Sequence, residues 1–136
     1  MTGFALRLHA EPLAVGLVPA HVNIALTGGT APIHGSLTTA AGRTIVFPHR
    51  LADEAGPDVL VEGPFRALEV EGPLGFSLTG VLTSLLVPLA EADVSVFTLS
   101  TFDTDWILVP ADAAGAAEAA LTAAGHTVRA ADPEGA

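Results

Sequence analysis

Residues 98–110 read TLSTFDTDWILVP, and a matching stretch, SLTTAAGRTIVFP, occupies residues 36–48. The two stretches align without gaps at an offset of 62 residues and are identical at four positions. At the same offset, ALRLHAEPL at residues 5–13 matches ALEVEGPLG at residues 67–75. Agreement of two separate segments on one offset predicts a duplicated supersecondary unit.

The second copy begins with a strand and a helix. Side chains alternate in character over residues 66–71, which predicts a half-buried strand. Six apolar residues then follow the spacing of one helix face, and Ser77 stands where it would cap that helix. They are Leu78, Val81, Leu82, Leu85, Leu86 and Leu89. We expect Pro88 to bend the last turn or to end it early.

The rest of the second copy contains three more predicted strands and a second predicted helix. Its β-branched and apolar runs predict two strands joined by a turn, and an alanine-rich segment predicts a helix capped by Asp112 and ended by Gly125. These elements are the strands at residues 94–101, 105–109 and 127–130 and the helix at residues 113–124. The order βαββαβ is that of a ferredoxin-like unit, so we expect an α+β fold.

The first copy is a degraded version of this unit. Residues 16–32 contain several glycines and prolines and make a poor helix, so strand and loop are expected there. The remaining predicted elements are strands at residues 5–9, 36–39, 44–47 and 59–61 and a short helix within residues 49–56. We therefore expect two ferredoxin-like halves, the first degraded, at residues 1–62 and 63–130, and a loose tail at residues 131–136.

The composition excludes several functional classes. Without cysteine the chain has no disulfide, thiolate zinc site or thiol nucleophile, and without lysine it has no Schiff base. The net charge is −10 and the five arginines are scattered, which argues against nucleic acid and anionic membranes as partners. No apolar run approaches the roughly 20 residues that span a bilayer. No secretory signal is expected, and a cytoplasmic location fits the lack of cysteine.

Two neighbouring segments of the second copy could form a ligand site. Residues 72–80, GPLGFSLTG, join a strand to a helix start, where unpaired N–H groups favour a carboxylate and Gly72 and Gly75 permit close approach. The alternative is an ordinary strand–helix turn that uses glycine for its geometry. Residues 100–110, STFDTDWILVP, place Asp103 and Asp105 where they could pair with an amine or guanidinium. The alternative there is a polar hairpin turn.

Three segments taken together carry a family resemblance. They are GPLGFSLTG at residues 72–80, PLAEADVSVF at residues 88–97 and STFDTDWILV at residues 100–109. In this combination the chain resembles the ACT-domain family, specifically the small ACT proteins related to the CASTOR arginine sensors. The resemblance is specific over residues 67–128 and weak before about residue 33.

The resemblance implies a regulatory module that binds an amino acid between ACT units. By this analogy, Gly75, Phe76 and Ser77 supply contacts from the turn before the helix. The residues implied on the opposite side are Ser100, Thr101, Thr104 and Asp105. The chain departs from its relatives at Gly75, where they often carry an acidic residue.

Three hypotheses follow. The first is an amino-acid sensor, with a preference for a basic amino acid, that forms a homodimer and acts on an unidentified protein partner. The second is a structural or interaction module that has lost its ligand, which Gly75 and the degraded first half favour. The third, an enzyme, would need an acid–base pair, and Ser77 and Ser100 have no evident base.

The histidines and Trp106 are expected to have structural roles. The five histidines show no metal-binding spacing, so we expect surface or capping roles for them and neither a metal nor another cofactor. Trp106 lies in a predicted strand, and we expect it to pack in the core.

Overall fold

The computed structural model describes residues 3–24, 31–72 and 79–131. The strands of these residues are β1 Ala5–Leu8, β2 Leu13–Val18, β3 Gly35–Thr39, β4 Gly42–Pro48, β5 Leu60–Val70, β6 Phe97–Ser100, β7 Asp105–Pro110 and β8 Thr127–Ala130. The helices are α1 Val81–Glu91 and α2 Ala114–Ala123, with 3-10 turns at His49–Ala55 and Ala111–Ala113. The fold is therefore α+β, as the sequence predicts, and the predicted order βαββαβ is present from β5 to β8.

One long strand, β5, organises the sheet. Along one side it pairs antiparallel first with β2 and then with β1, and along the other side it pairs with β7. Strands β4 and β3 continue the sheet beyond β2, β8 lies parallel to β1, and β6 lies beyond β7. Both predicted halves thus contribute strands to a single eight-stranded sheet.

The two hairpins occupy matching places in this sheet. In one row across four strands, Pro48 of β4 lies opposite Leu13, Leu13 opposite Phe65, and Phe65 opposite Pro110 of β7. Pro48 and Pro110 are also the pair at an offset of 62 in the sequence, and each is followed by a 3-10 turn. This shared register supports the duplication, which stays a prediction.

The path of the chain departs from the expected halves in two ways. Strand β1 was expected to belong to the first half, but it lies between β5 and β8 of the second. The strands expected at residues 59–61 and 66–71 are one continuous strand, within which the expected boundary at residues 62 and 63 falls. A register shift between Leu13 and Val15 absorbs the extra residue on β5. Gly63, with φ of 141°, permits it, because a Cβ there would lie 3.0 Å from the Leu13 carbonyl oxygen.

Both helices begin differently from the prediction. Helix α1 starts at Val81 after Gly80, whose φ of 79° is left-handed, so Ser77 is not its N-cap. The helix runs on to Glu91, so of the two outcomes expected for Pro88 the early end is not observed, and the bend stays a prediction. The N-cap of α2 is Ala113, and the expected cap from Asp112 is not formed because Asp112 lies in the preceding 3-10 turn.

Apolar residues pack on both faces of the sheet. On one face, α1 and α2 bury Leu85, Leu89 and Leu121 against Leu6 and Leu68, and each of these five side chains is fully buried. The short segment around the 3-10 turn at His49–Ala55 covers the β2–β4 part of this face. The other face, called here the open face, holds a cluster drawn from strands and from the segment before β3. That cluster contains Leu13, Val46, Ala67, Trp106 and Leu108.

His126, the residue before β8, joins helix α1 to the residue before β1. Its side chain is only 3% exposed, which corrects the expected surface or capping role. The Phe4 backbone N–H donates to Nδ1 at 3.0 Å, and Nε2 lies 3.1 Å from the Ser84 carbonyl oxygen. Because a carbonyl only accepts, these contacts require a neutral ring protonated on Nε2. Pro88 has no N–H with which to reach the Ser84 carbonyl, so His126 satisfies an acceptor that the helix itself leaves open.

We predict that His126→Phe lowers the free energy of unfolding by about 2–4 kcal/mol, because it leaves the Phe4 N–H and the Ser84 carbonyl unpaired while keeping ring volume. In a Pro88→Ala background the cost should fall by about 1 kcal/mol, since residue 88 then donates to Ser84. Urea unfolding of the four proteins in this double-mutant cycle measures both effects. Equal costs of His126→Phe in the two backgrounds would contradict the proposed link.

Candidate functional site

The end of β5 and the β6–β7 turn meet at one end of the sheet. Glu69 lies opposite Trp106, which places Val70 beside the start of β7. The Thr104 hydroxyl donates to the Val70 carbonyl at 2.7 Å, and Thr104 is buried. Gly72 follows two residues after Val70 and is exposed. One predicted glycine and the predicted polar turn therefore lie at the same end of the fold.

The five predicted residues of the second segment form one compact turn. The Thr101 N–H donates to the Thr104 carbonyl at 2.8 Å, and the Thr104 N–H donates to the Thr101 hydroxyl at 3.2 Å. The Ser100 hydroxyl donates to Oδ1 of Asp105 at 2.6 Å. Asp105 is half-buried and Asp103 is exposed. The turn is thus held by its own side chains, as expected for a polar hairpin turn, while it presents carboxylates to solvent.

The start of α1 lies at the same end of the sheet. In its first turn the Ser84 carbonyl contacts His126, which also binds the Phe4 N–H. The neighbouring Ala5 carbonyl accepts from the Glu71 N–H at the end of β5. The Ser84 N–H donates to the Gly80 carbonyl at 3.0 Å, so the helix N–H groups that precede this first bond belong to Val81, Leu82 and Thr83. The other predicted turn residues, Gly75, Phe76 and Ser77, lie outside the described residues.

An ion pair borders this end of the sheet. Nε of Arg129 donates to Oε2 of Glu71 at 2.5 Å, joining β8 to the residue that follows β5. This hydrogen bond is the main reason that the pKa of Glu71 lies below its usual range, with smaller contributions from the charges of Arg129 and Arg7. The same bond raises the pKa of Arg129. Both groups face solvent, so the pair has a local electrostatic effect and a small effect on stability.

The open face carries a polar contact that sequence reasoning missed. His9 Nε2 lies 2.9 Å from Oε1 of Glu69, and the His9 ring stacks on Trp106 with 5.3 Å between ring centroids. Trp106 itself is buried, which confirms the expected core packing. The signal for this cluster was the alternation within β5, which puts Glu69 on the same face as Ala67. Its partner could not be identified because the sequence does not show that β1 pairs with β5.

The described residues were also expected to lack a metal site and a membrane span. Within residues 3–24, 31–72 and 79–131, no three His, Asp or Glu side chains come together as a group able to hold a metal ion. No helix in that part of the chain is both long enough and apolar enough to cross a bilayer.

We predict that Thr104→Val lowers the free energy of unfolding by about 1–3 kcal/mol, because the Val70 carbonyl loses its buried donor while side-chain shape is kept. The matched control is Thr98→Val on the exposed side of β6, which should change stability by less than about 0.5 kcal/mol. Urea unfolding compares the two variants. Equal stabilities would show that the Thr104 bond does not hold the turn to β5.

We predict that Arg129→Gln raises the pKa of Glu71 toward its ordinary range, because the charged donor is lost. Because the folded-state pKa is lowered, the pair stabilises the fold above the unfolded-state pKa, and this contribution disappears as pH falls through the lowered value. NMR titration of the Glu71 side chain measures the shift. The control is Arg66→Gln. Because the Arg66 side chain donates to the His9 carbonyl and not to Glu71, this variant should leave the pKa of Glu71 unchanged.

One part of the chain matches a known protein family. Residues 60–123, which run from β5 into α2, match the ACT domain family. The human protein named cytosolic arginine sensor for mTORC1 subunit 1 is 42% identical over 52 residues, which are 38% of this chain and 16% of the relative. The mouse protein of that name is 40% identical over the same length. The chain thus spans 16% of the length of these relatives.

Solved structures share the fold over nearly the whole chain. A protein from Agrobacterium tumefaciens superposes with a TM-score of 0.82 at 24% identity, covering 97% of this chain and 96% of that one. The regulatory subunit of aspartate kinase from Thermus flavus gives 0.65 at 13% identity, covering 91% and 99%. At these identities the likeness concerns the fold alone. Residues 60–123 of this chain are thus similar to the ACT domain family, and the βαββαβ order from β5 to β8 fits that match.

Proposed function

We propose that this chain is a regulatory module that binds a free amino acid at the end of the sheet where β5 ends, α1 begins and the β6–β7 turn lies. The observation that carries the proposal is the 2.7 Å bond from Thr104 to the Val70 carbonyl, which fixes the acidic turn beside the strand that leads to α1. The module acts by binding rather than by catalysis.

The ends of an amino acid match the two sides of this proposed site. Its carboxylate would accept from the first N–H groups of α1, a contribution of about 0.3–1 kcal/mol from the helix dipole. Its ammonium would pair with Asp105 or Asp103. A basic side chain suits a chain with a net charge of −10, and the relatives named as arginine sensors point to the same ligand class. In this proposal Gly72, Gly75, Phe76 and Ser77 line the side nearest α1.

The proposal includes a homodimer and a regulated protein partner in the cytoplasm. Within the described residues the sheet ends at β3, at β6 and at β8, and pairing between copies is one way to satisfy the backbone groups of such edges.

A second candidate is an interaction module that has lost its ligand. The specific observation in its favour is that the Ser100, Thr101 and Thr104 hydroxyls already donate within the turn or to β5. The glycine at position 75, where relatives often carry an acidic residue, points the same way. Under this candidate the acidic turn would contact a protein rather than a small molecule.

Calorimetric titration with each of the twenty amino acids separates the two candidates. We expect heat of binding for one or a few basic amino acids, and a ligand at 100 times its dissociation constant should stabilise the fold by about 2.7 kcal/mol. Asp105→Asn should weaken that binding about tenfold or more, because it removes the charge that pairs with the ammonium.

Glu118→Gln is the matched control, since it removes one carboxylate from the exposed side of α2. It should leave the affinity unchanged. Absence of binding heat for all twenty amino acids would reject the sensor, and equal affinity of the Asp105 and Glu118 variants would reject this location for the site.

A further inference from the structure

Among the described residues, β4 is the one strand that pairs with β3, so the other side of β3 is an edge of the sheet. Its sequence is GSLTT, with no charged residue and no proline, and four of its five residues are exposed. Thr39 and Gly42 close the β3–β4 hairpin as opposite residues, and hydrogen-bonded pairs alternate from there along the two strands. Ser36 and Thr38 therefore direct their N–H and C=O groups away from β4, toward the free edge.

Leucines extend from this edge across the open face. Leu37 lies opposite Thr44, Thr44 opposite Leu17, and Leu17 opposite Leu60, so the four side chains form one row over four strands. We call this the leucine row. Leu37 is 68% exposed, Leu17 40% and Leu60 70%. A row of exposed leucines that ends at an uncharged strand edge is a surface that association would bury.

Two copies that meet through the β3 edge avoid the repulsion between acidic side chains that contact through other parts of the chain would cause. Residues 12–52 contain no aspartate or glutamate, although the chain has fifteen acids and a net charge of −10. This acid-free segment includes β2, β3 and β4. Two copies that approach through β3 therefore keep their acidic parts apart, whereas approach through most other surfaces brings like charges together.

The other free edges are less suited to pairing. Strand β8 carries the charged residue Arg129, which is largely exposed. Strand β6 leads into the turn with Asp103 and Asp105, so self-pairing there would crowd carboxylates. The first half of β5 contains Glu62 and the bulge at Gly63, both of which discourage strand addition.

We infer that β3 is the dimer interface, and that two copies pair antiparallel about a twofold axis at Leu37. In this register Ser36 lies opposite Thr38 of the second copy, so the outward backbone groups of both residues form hydrogen bonds. The two Leu37 side chains meet, and the leucine row continues over eight strands. The inference rests on the homodimer of the proposed function but not on its amino-acid ligand.

The experiment measures the molar mass of the full chain by sedimentation equilibrium. We expect a dimer for the wild type, and Leu37→Lys should raise the dissociation constant at least about tenfold, since a lysine on the edge blocks strand pairing. Leu60→Lys is the matched control, because Leu60 is equally exposed at the far end of the same row. Thermal unfolding of both variants checks that they remain folded.

A cross-link tests the register directly. The chain contains no cysteine, so Leu37→Cys introduces a single thiol. In the inferred register the two Cα atoms at position 37 form a pair without hydrogen bonds, about 4.5 Å apart, which suits a disulfide. We expect rapid oxidation to a covalent dimer for Leu37→Cys and not for Leu60→Cys.

Each contrary outcome has a distinct meaning. A monomeric wild type overturns both the homodimer and this interface, although amino-acid binding measured by calorimetry would stand. A wild-type dimer that survives Leu37→Lys, or that Leu60→Lys dissociates equally well, overturns the β3 interface alone. Equal cross-linking at positions 37 and 60 overturns the twofold register.

Discussion

The fold depends on hydrogen bonding along both sides of β5. Strands β1 and β2 follow each other along one side, and β7 occupies the other, so Leu68 is paired at once with Leu8 and Ile107. Strand β1 contributes only four residues, yet it separates β5 from β8 and supplies the neighbour that β8 needs. Through this insertion the N-terminal part of the chain completes the sheet of the region that matches the ACT domain family.

The same insertion explains why a buried histidine is needed. The chain enters β1 at Phe4, and the Phe4 N–H donates to His126 just before β8. His126 then reaches the carbonyl of Ser84 that Pro88 leaves open within α1. A substitution that would weaken an isolated helix is thus compensated by a side chain 38 residues further along the sequence. The entrance of β1, the first turn of α1 and the end of α2 become one hydrogen-bonded unit.

Two separate parts of the sheet differ in the chemistry of their side chains. One part gathers the β6–β7 turn with Asp103 and Asp105, the start of α1, and the Glu71–Arg129 pair, and it is where we propose that the amino acid binds. The β2–β4 side lies in a segment without acids and carries exposed leucines, which suits contact with a second copy. The separation allows ligand binding and association to be tested by different substitutions in one small chain.

The sequence alone determined the α+β class, the order βαββαβ after residue 60 and the hairpin that contains Asp103 and Asp105, because local periodicity and turn residues govern these features. Tertiary structure decided what depends on contacts distant in sequence. The insertion of β1, the continuity of β5 across Gly63 and the burial of His126 each require a partner more than 40 residues away, which no local pattern identifies. The start of α1 also moved, since Gly80 in a left-handed conformation, rather than Ser77, begins the helix.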